Sequence, residues 1–218
     1  MIIPGDNMTL IRKLENPMTE HYQLLKEYAL SGQIPFTYNK KTCNGTPEEM
    51  HNSVFGSDTH FLSHLVLGRP RPNAGAYTQE FVERETVRRI DHALHQILFH
   101  NHIKLGCWFR ININIIPTVP EDDAWGAIHN DHQFDHTNMI VYLDTPKCGG
   151  GQTRVYNAQW KPNLTEEPSW DEYEEHFPKE DDVIIFPGRH FHHGKGPTTP
   201  GDRRTFIVAT FHEAIYAS

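Results

Sequence analysis

Three histidines and two aspartates fall within AIHNDHQFDH, residues 127 to 136. His129 and Asp131 stand two apart. On an extended strand, where side chains alternate between faces, they project together and can hold one divalent ion. An imidazole and a carboxylate leave such a site incomplete. A second histidine-dense stretch, FPGRHFHHGKGP at 186 to 197, offers His190, His192 and His193 as the third ligand.

Two imidazoles and one carboxylate on one side of an ion, with the remaining positions open, suit Fe(II) and the binding of dioxygen beside a second ligand. Further along stand Arg203 and Arg204. A planar guanidinium holds a carboxylate through two parallel hydrogen bonds. A diacid could therefore chelate the metal at one end and be clamped by arginine at the other.

These residues need elements to position them. CWFRININIIP, 107 to 117, alternates strictly: Phe109, Ile111, Ile113 and Ile115 on one face, Arg110, Asn112 and Asn114 on the other. That polar face suits either an exposed edge strand or the lining of a polar cavity. TNMIVYLD, DDVIIFP and RTFIVATF read as further strands, the last launched from the turn PGDR. Upstream, Thr19 caps a predicted helix with His21, Leu24, Leu25 and Tyr28 on one stripe and Gly32 as its stop. Residues 33 to 77 read as long loops around the short apolar element FLSHLVL. Thr78 opens a second predicted helix, with Val87, Ile90, Leu94, Ile97 and Leu98 on one face. His95, His100 and His102, around its end, suit a helix C-terminus and are given no site. Helices first and strands afterwards predict an α+β chain with helices packed on one side of a sheet. The acidic, aromatic, proline-broken stretch 157 to 182 reads as a surface insertion.

The chain has 218 residues, enough for a single domain with a real core. A formal charge of −8 disfavours a general grip on nucleic acid, which needs clustered Lys and Arg. Cys43, Cys107 and Cys148 are far apart and form neither a disulfide framework nor a zinc knuckle. There is no signal-peptide pattern and no apolar run of membrane length, so the expectation is a cytoplasmic protein without a membrane partner.

Five segments occur in an order that resembles the 2-oxoglutarate- and Fe(II)-dependent dioxygenases, specifically their prolyl-4-hydroxylase-like branch of bacteria and phages. They are HND at 129 to 131, TNMIVYLD at 137 to 144, GGGQT at 149 to 153, VIIFPGRHFHHG at 183 to 194, and GDRRTFIVATF at 201 to 211. The resemblance spans roughly residues 105 to 212. It implies a double-stranded β-helix (a jelly-roll, cupin-like core) over 105–218, supported by a helical and loop region over 1–104, in one domain. It implies His129, Asp131 and His192 as iron ligands, His192 being preferred to His190 and His193 for its spacing from Pro187. Arg204 matches the clamp for the far carboxylate of 2-oxoglutarate, with Arg203 the runner-up, and Tyr142 matches an aromatic that hydrogen-bonds the same group. Asn112 and Asn114 would then face the cavity. Phe206, where relatives carry a small polar residue, departs from the pattern and leaves the register of the two arginines open.

The activity implied is hydroxylation of an unactivated C–H bond with decarboxylation of 2-oxoglutarate to succinate. It uses Fe(II) and O2, with ascorbate as an accessory reductant. Asp131 favours hydroxylation over halogenation, whose enzymes replace the carboxylate. The substrate class implied is a prolyl or other protein side chain, or a free amino acid or other small molecule. Loops at 38 to 60, 69 to 77 and 157 to 182 are the expected lids. Outside this class, a cupin-like metal-dependent binder or sensor and a zinc hydrolase remain. His132 and His136 are expected either to orient the ligands or to lie on the surface.

Overall fold

The computed structural model describes residues 9–40, 59–73, 76–78, 84–120, 124–161 and 168–214. In chain order these form β1 (Arg12–Leu14), α1 (Glu20–Leu30), β2 (Thr37–Asn39), β3 (Phe61–Leu67), β4 (Arg71–Asn73), β5 (Ala76–Thr78) and α2 (Arg84–His100). There follow β6 (Leu105–Pro117), β7 (Thr137–Asp144), β8 (Thr153–Gln159), β9 (Tyr173–His176), β10 (Val183–Pro187), β11 (His190–Gly194) and β12 (Arg203–Glu213).

Seven strands make an antiparallel major sheet in the order β1-β10-β7-β12-β6-β3-β2, and three make a minor sheet, β11-β8-β9. The alternation read from β6 explains how the major sheet serves two purposes. Its outer face, with Ile111, Ile113, Met139, Val141, Val183, Ile185, Ile207 and Ala209, packs into one core with Leu25 of α1 and Ile90, Leu94, Ile97 and Leu98 of α2. Full burial of each such side chain stabilises by roughly 1.5–3 kcal/mol. The inner face is the other phase of the same strands, and it carries Arg110, Asn114, Asn138, Arg204 and the smaller cluster of Ile140, Tyr142, Ile184, Phe186 and Phe206.

Several expectations shift. The Thr19 cap is present, its hydroxyl accepting from Tyr22 N, and Gly32 follows the helix at φ +75°. The buried face of α1 is Tyr22, Leu25 and Ala29, however, and Leu24 is 47 % exposed. The Tyr22 hydroxyl donates to Asp181 Oδ1 at 2.6 Å, which sets the rotation of the helix. Thr78, expected to open this helix, is the last residue of β5, and residues 79–83 between it and the described part of α2 lie outside the described residues. Phe109 leaves the apolar face, because the β6–β12 pairing slips by one residue at this point. Trp108 takes the core position against Phe211, ring centroids 5.5 Å apart, and Phe109 packs edge-on against His132 and Phe134.

Within the stretch 33 to 77 the apolar element FLSHLVL is β3, and the flanking residues read as loops supply β2, which with β3 continues the major sheet beyond β6, and the hairpin β4–β5. Residues 41–58, most of the first expected lid, and 74–75 and 162–167, within the other two, lie outside the described residues. The third expected lid gives β9, the outer strand of the minor sheet, and not only surface loop. Its aromatics explain why: Trp170 meets Phe191 and Tyr156 edge-on, and Tyr173 meets Tyr156.

Candidate metal centre

His129 lies just before β7 and His192 within β11, yet they face each other as an isolated antiparallel bridge. The amide of His129 donates to the His192 carbonyl at 3.0 Å, and the amide of His192 to the His129 carbonyl at 2.8 Å. This backbone pair brings residues over sixty positions apart to one spot, with their rings 4.5 Å centroid to centroid. Asp131, two residues on, completes the group: one ligand atom from each of His129, Asp131 and His192 lies within 4.8 Å of the others.

Hydrogen bonds orient the ligands. His129 Nδ1 is 2.8 Å from the Ala127 carbonyl and His192 Nδ1 is 3.2 Å from the His190 carbonyl. Donation there leaves each Nε2 as the bare nitrogen a metal requires. Burial, reinforced by the neighbouring His192, pushes His129 down to about 4, so its ring is neutral at ordinary pH. Asp131 is divided between two duties. Oδ2 faces His192 Nε2 at 3.5 Å, while Oδ1 accepts from Arg110 Nη1 at 2.6 Å and from Arg69 Nη2 at 3.5 Å. Burial alone would raise this carboxyl. The adjoining His192 and the charge of Arg110 outweigh it and hold the group well below the usual carboxylate range.

Arg204 stands at the other end of the same cavity, 1 % exposed. Nη2 donates to Thr153 Oγ1 at 2.7 Å, Nε has no partner, and among the described residues no carboxylate pairs with it. Burial pushes its pKa down, with Tyr142 opposing. The guanidinium lies over the Phe206 ring at 4.4 Å and the Tyr142 ring at 5.2 Å. Phe206 therefore supplies an aromatic face for the cation, which accounts for its departure from the family pattern. Arg203, on the opposite phase of β12, pairs with Asp144 at 2.8 Å, 51 % exposed. A buried guanidinium without a counter-ion is costly unless an anion arrives, so a diacid spanning from the triad to Arg204 fits both ends.

Between the two ends lies a cavity of about 310 Å³, lined among others by Asn114, Asn138, Ile140, Phe186, Phe206 and Val208. Asn114 faces it. Asn112 does not line it; with its amide turned to satisfy both ends, it accepts from Arg110 Nη2 and donates to the Ile111 carbonyl, each at 2.9 Å. Tyr142 does not line it either: its hydroxyl is 2.8 Å from Thr153 Oγ1, beneath the arginine. Thr153 occupies the position in the cavity wall to which no role was assigned from sequence, although it ends the GGGQT segment. Arg69 and Arg110 were likewise given no role; the polar phase of β6 was the signal for Arg110.

The other four histidines of the two motif stretches stand outside the metal group. His190 uses Nδ1 on the Tyr156 carbonyl and Nε2 on Gln159, each at 2.8 Å. His193 engages the Gly126 carbonyl and the Tyr156 hydroxyl, and stacks on Trp125 at 4.4 Å. His132 and His136 are buried, not on the surface, and neither touches a ligand ring. His132 bonds Thr210 Oγ1 at 2.8 Å and stacks on Phe134, with His136 edge-on to it.

No protein-family model and no curated protein matches the sequence. Solved structures do match in shape. An oxidoreductase of the 2OG-Fe(II) oxygenase family from Burkholderia pseudomallei superposes with a TM-score of 0.54 at 14% identity, covering 87% of this chain and 78% of that one. The chain has the double-stranded β-helix fold of these oxygenases. The non-heme alpha ketoglutarate dependent epimerase SnoN from nogalamycin biosynthesis gives 0.58 at 14% identity, over 94% of this chain and 79% of that one. A prolyl hydroxylase from Trichoplax adhaerens, in complex with a hypoxia inducible factor peptide fragment, gives 0.52 at 13% identity, over 95% and 85%.

Proposed function

We propose that this chain is an Fe(II)- and 2-oxoglutarate-dependent dioxygenase that hydroxylates an unactivated C–H bond. The observation that carries the reading is the buried Arg204, without a carboxylate partner among the described residues, in one cavity with the His129, Asp131 and His192 group. Nε2 of each histidine and Oδ2 of Asp131 would hold the metal. Arg204 and Thr153 would receive the far carboxylate of 2-oxoglutarate. Iron and cosubstrate together supply dioxygen activation coupled to decarboxylation, leaving succinate and a hydroxylated product. The chain's own share is to keep the His129 imidazole neutral, to fix Asp131 through Arg110, and to exclude water with Ile140, Phe186, Phe206 and Val208.

The reading extends to one domain, supported by β1, β2 and β3 sharing a sheet with β6, β7, β10 and β12. Among the described residues no helix is long and apolar enough to cross a membrane, and Cys107 and Cys148 are free thiols, which suits the reducing cytoplasm. The similar structures include a protein with a peptide bound and an epimerase of an antibiotic pathway, and substrate choice rests with the site and not the fold. A prolyl or other protein side chain, or an amino acid, is the class to be searched.

Anaerobic Fe(II) titration with and without 2-oxoglutarate tests the assignment through the weak visible charge-transfer band of the chelate. The band should appear with wild-type protein and vanish in Arg204→Ala. Iron binding without the band would defeat the oxygenase reading and return the chain to the metal-dependent binders. Turnover is then followed as succinate release in the presence of O2, with ascorbate to keep iron reduced.

A further inference from the structure

The cavity is basic in an acidic chain. Against a formal charge of −8 for the whole sequence, the lining carries three guanidinium groups, Arg69, Arg110 and Arg204, and Asp131 as its carboxylate. Arg204 has its anion if the proposed function holds. Arg110 is committed to Asp131 Oδ1 at 2.6 Å. Arg69 is different. Its side chain is 43 % exposed, and among the described residues its hydrogen bond is a single one at 3.5 Å to the same Oδ1, whose better partner is Arg110. A guanidinium has five N–H donors in a rigid fork, so most of Arg69's remain available to a ligand. A metal held by Asp131 would draw on the same carboxylate charge and weaken its hold on Arg69.

The same cavity is lined by buried amide atoms with no hydrogen-bond partner among the described residues. Asn130 Nδ2 donates to the His132 carbonyl at 2.7 Å, which fixes the amide and leaves Oδ1 unpartnered. Asn114 Oδ1 and both amide atoms of Asn138 are also buried without partners. All three asparagines line the cavity. Buried polar atoms of this kind are uncommon unless a ligand or water completes them.

We infer that the substrate is a small molecule bearing a carboxylate, which docks on Arg69 beside Asp131 while its hydrogen-bond donors meet the asparagine amides. The inference rests on the oxygenase reading and narrows it. A cleft of one charge sign concentrates ions of the other, and a guanidinium fork matches a carboxylate in two places. The volume of about 310 Å³, at the lower end of the roughly 300–1,000 Å³ of ligand pockets, must also take the cosubstrate. That favours a molecule of amino-acid size over an inserted polypeptide.

The test uses Zn(II)-loaded protein, inert to dioxygen, with saturating 2-oxoglutarate so that Arg204 is occupied. Thermal melting is recorded with a panel of free amino acids and small carboxylic acids, each paired with its carboxamide, and with capped tripeptides containing Glu. At least one free carboxylate should raise the melting temperature, its carboxamide should not, and Arg69→Gln should weaken the effect about tenfold or more. Equal binding of the carboxamide, undiminished binding by Arg69→Gln, tighter binding of a tripeptide, or no response across the panel each overturns the inference. The stabilisation by 2-oxoglutarate itself is measured first. If it is absent, the oxygenase reading falls and this inference with it; if it is present, a negative panel defeats the substrate class alone.

Discussion

Gly194 lies against Arg204: a Cβ added to Gly194 would stand 2.3 Å from the guanidinium Nη1. The close approach follows from the chain path, since Gly194 ends β11 two residues past His192 and Arg204 reaches across from β12. Gly194→Ala should push the guanidinium out of place without touching the metal ligands. The expected result is a loss of 2-oxoglutarate affinity of about tenfold, ~1.4 kcal/mol, with metal affinity unchanged. Parallel titrations of metal and 2-oxoglutarate check this; an unaltered 2-oxoglutarate titration would show that Arg204 has room to spare.

Arg204 also sets a cost on the ligand-free protein. Its charge is buried without a carboxylate partner among the described residues, and an apolar residue of similar length removes that charge while Thr153 and Tyr142 keep their mutual hydrogen bond. Arg204→Met should therefore melt higher than wild type without ligands, by about 1 kcal/mol or more, while losing the stabilisation that 2-oxoglutarate gives. A lower melting temperature would mean that the guanidinium's packing on Phe206 and Tyr142 outweighs its desolvation.

Histidine substitutions should separate ligands from neighbours. His192→Ala and Asp131→Ala should abolish stoichiometric metal binding. His190→Ala and His193→Ala should keep it, because both rings have their nitrogens engaged by Tyr156 and by Gln159 or Gly126. They should instead lower stability, each by ~1–3 kcal/mol for a lost buried hydrogen bond, seen as a lower melting temperature. Metal content by elemental analysis decides between the two groups.

Stability of the metal-free protein should fall in acid. Burial pushes His129 down to about 4, and His132 and His193 to about 3, from an ordinary value of 6.5. Between those values the unfolded chain binds more protons than the folded one, so stability is full above pH 6.5 and is lost as pH falls toward 3 to 4. Asp131, held low in the fold, acts in the same direction below its own ordinary value of 3.8. Melting temperatures from pH 8 to 4 on chelator-treated protein should decline through this window. A flat profile would mean that these rings keep contact with water.

The parts of the fold legible in the sequence are those governed by a local period. Strict alternation marked β6 and separated Ile111 and Ile113 from Asn114 and Arg110. The resemblance to the dioxygenases, and not a local period, singled out His192 among three candidates, and the structure brings that residue to His129 and Asp131. The bulge at Phe109 was not legible, because a one-residue slip depends on β12 and not on β6. Nor was the rotation of α1, which Asp181 sets from far along the chain. Arg69 was beyond reach for a similar reason: its meeting with Asp131 spans 62 positions and leaves no mark on its neighbours in sequence. Asn112 was legible as a residue of the polar phase of β6, and Tyr142 only through the resemblance; both lie on the cavity phase of their strands. Whether a side chain of that phase reaches the cavity depends on its hydrogen-bond partners, Thr153 and Arg110, and here neither does.

The short β1 has a consequence out of proportion to its three residues. It lies along β10, pairing Arg12 with Ile185 and Leu14 with Val183, and β10 would otherwise be the outermost strand on that side. An uncovered β10, with the sequence VIIFP, would present a row of open amides and carbonyls to any other extended chain. The N-terminal segment thus works as a selvedge: it keeps the fabric of the sheet from being sewn to that of its neighbours. A truncated chain starting after Leu14 should bind its metal and yet come out of solution.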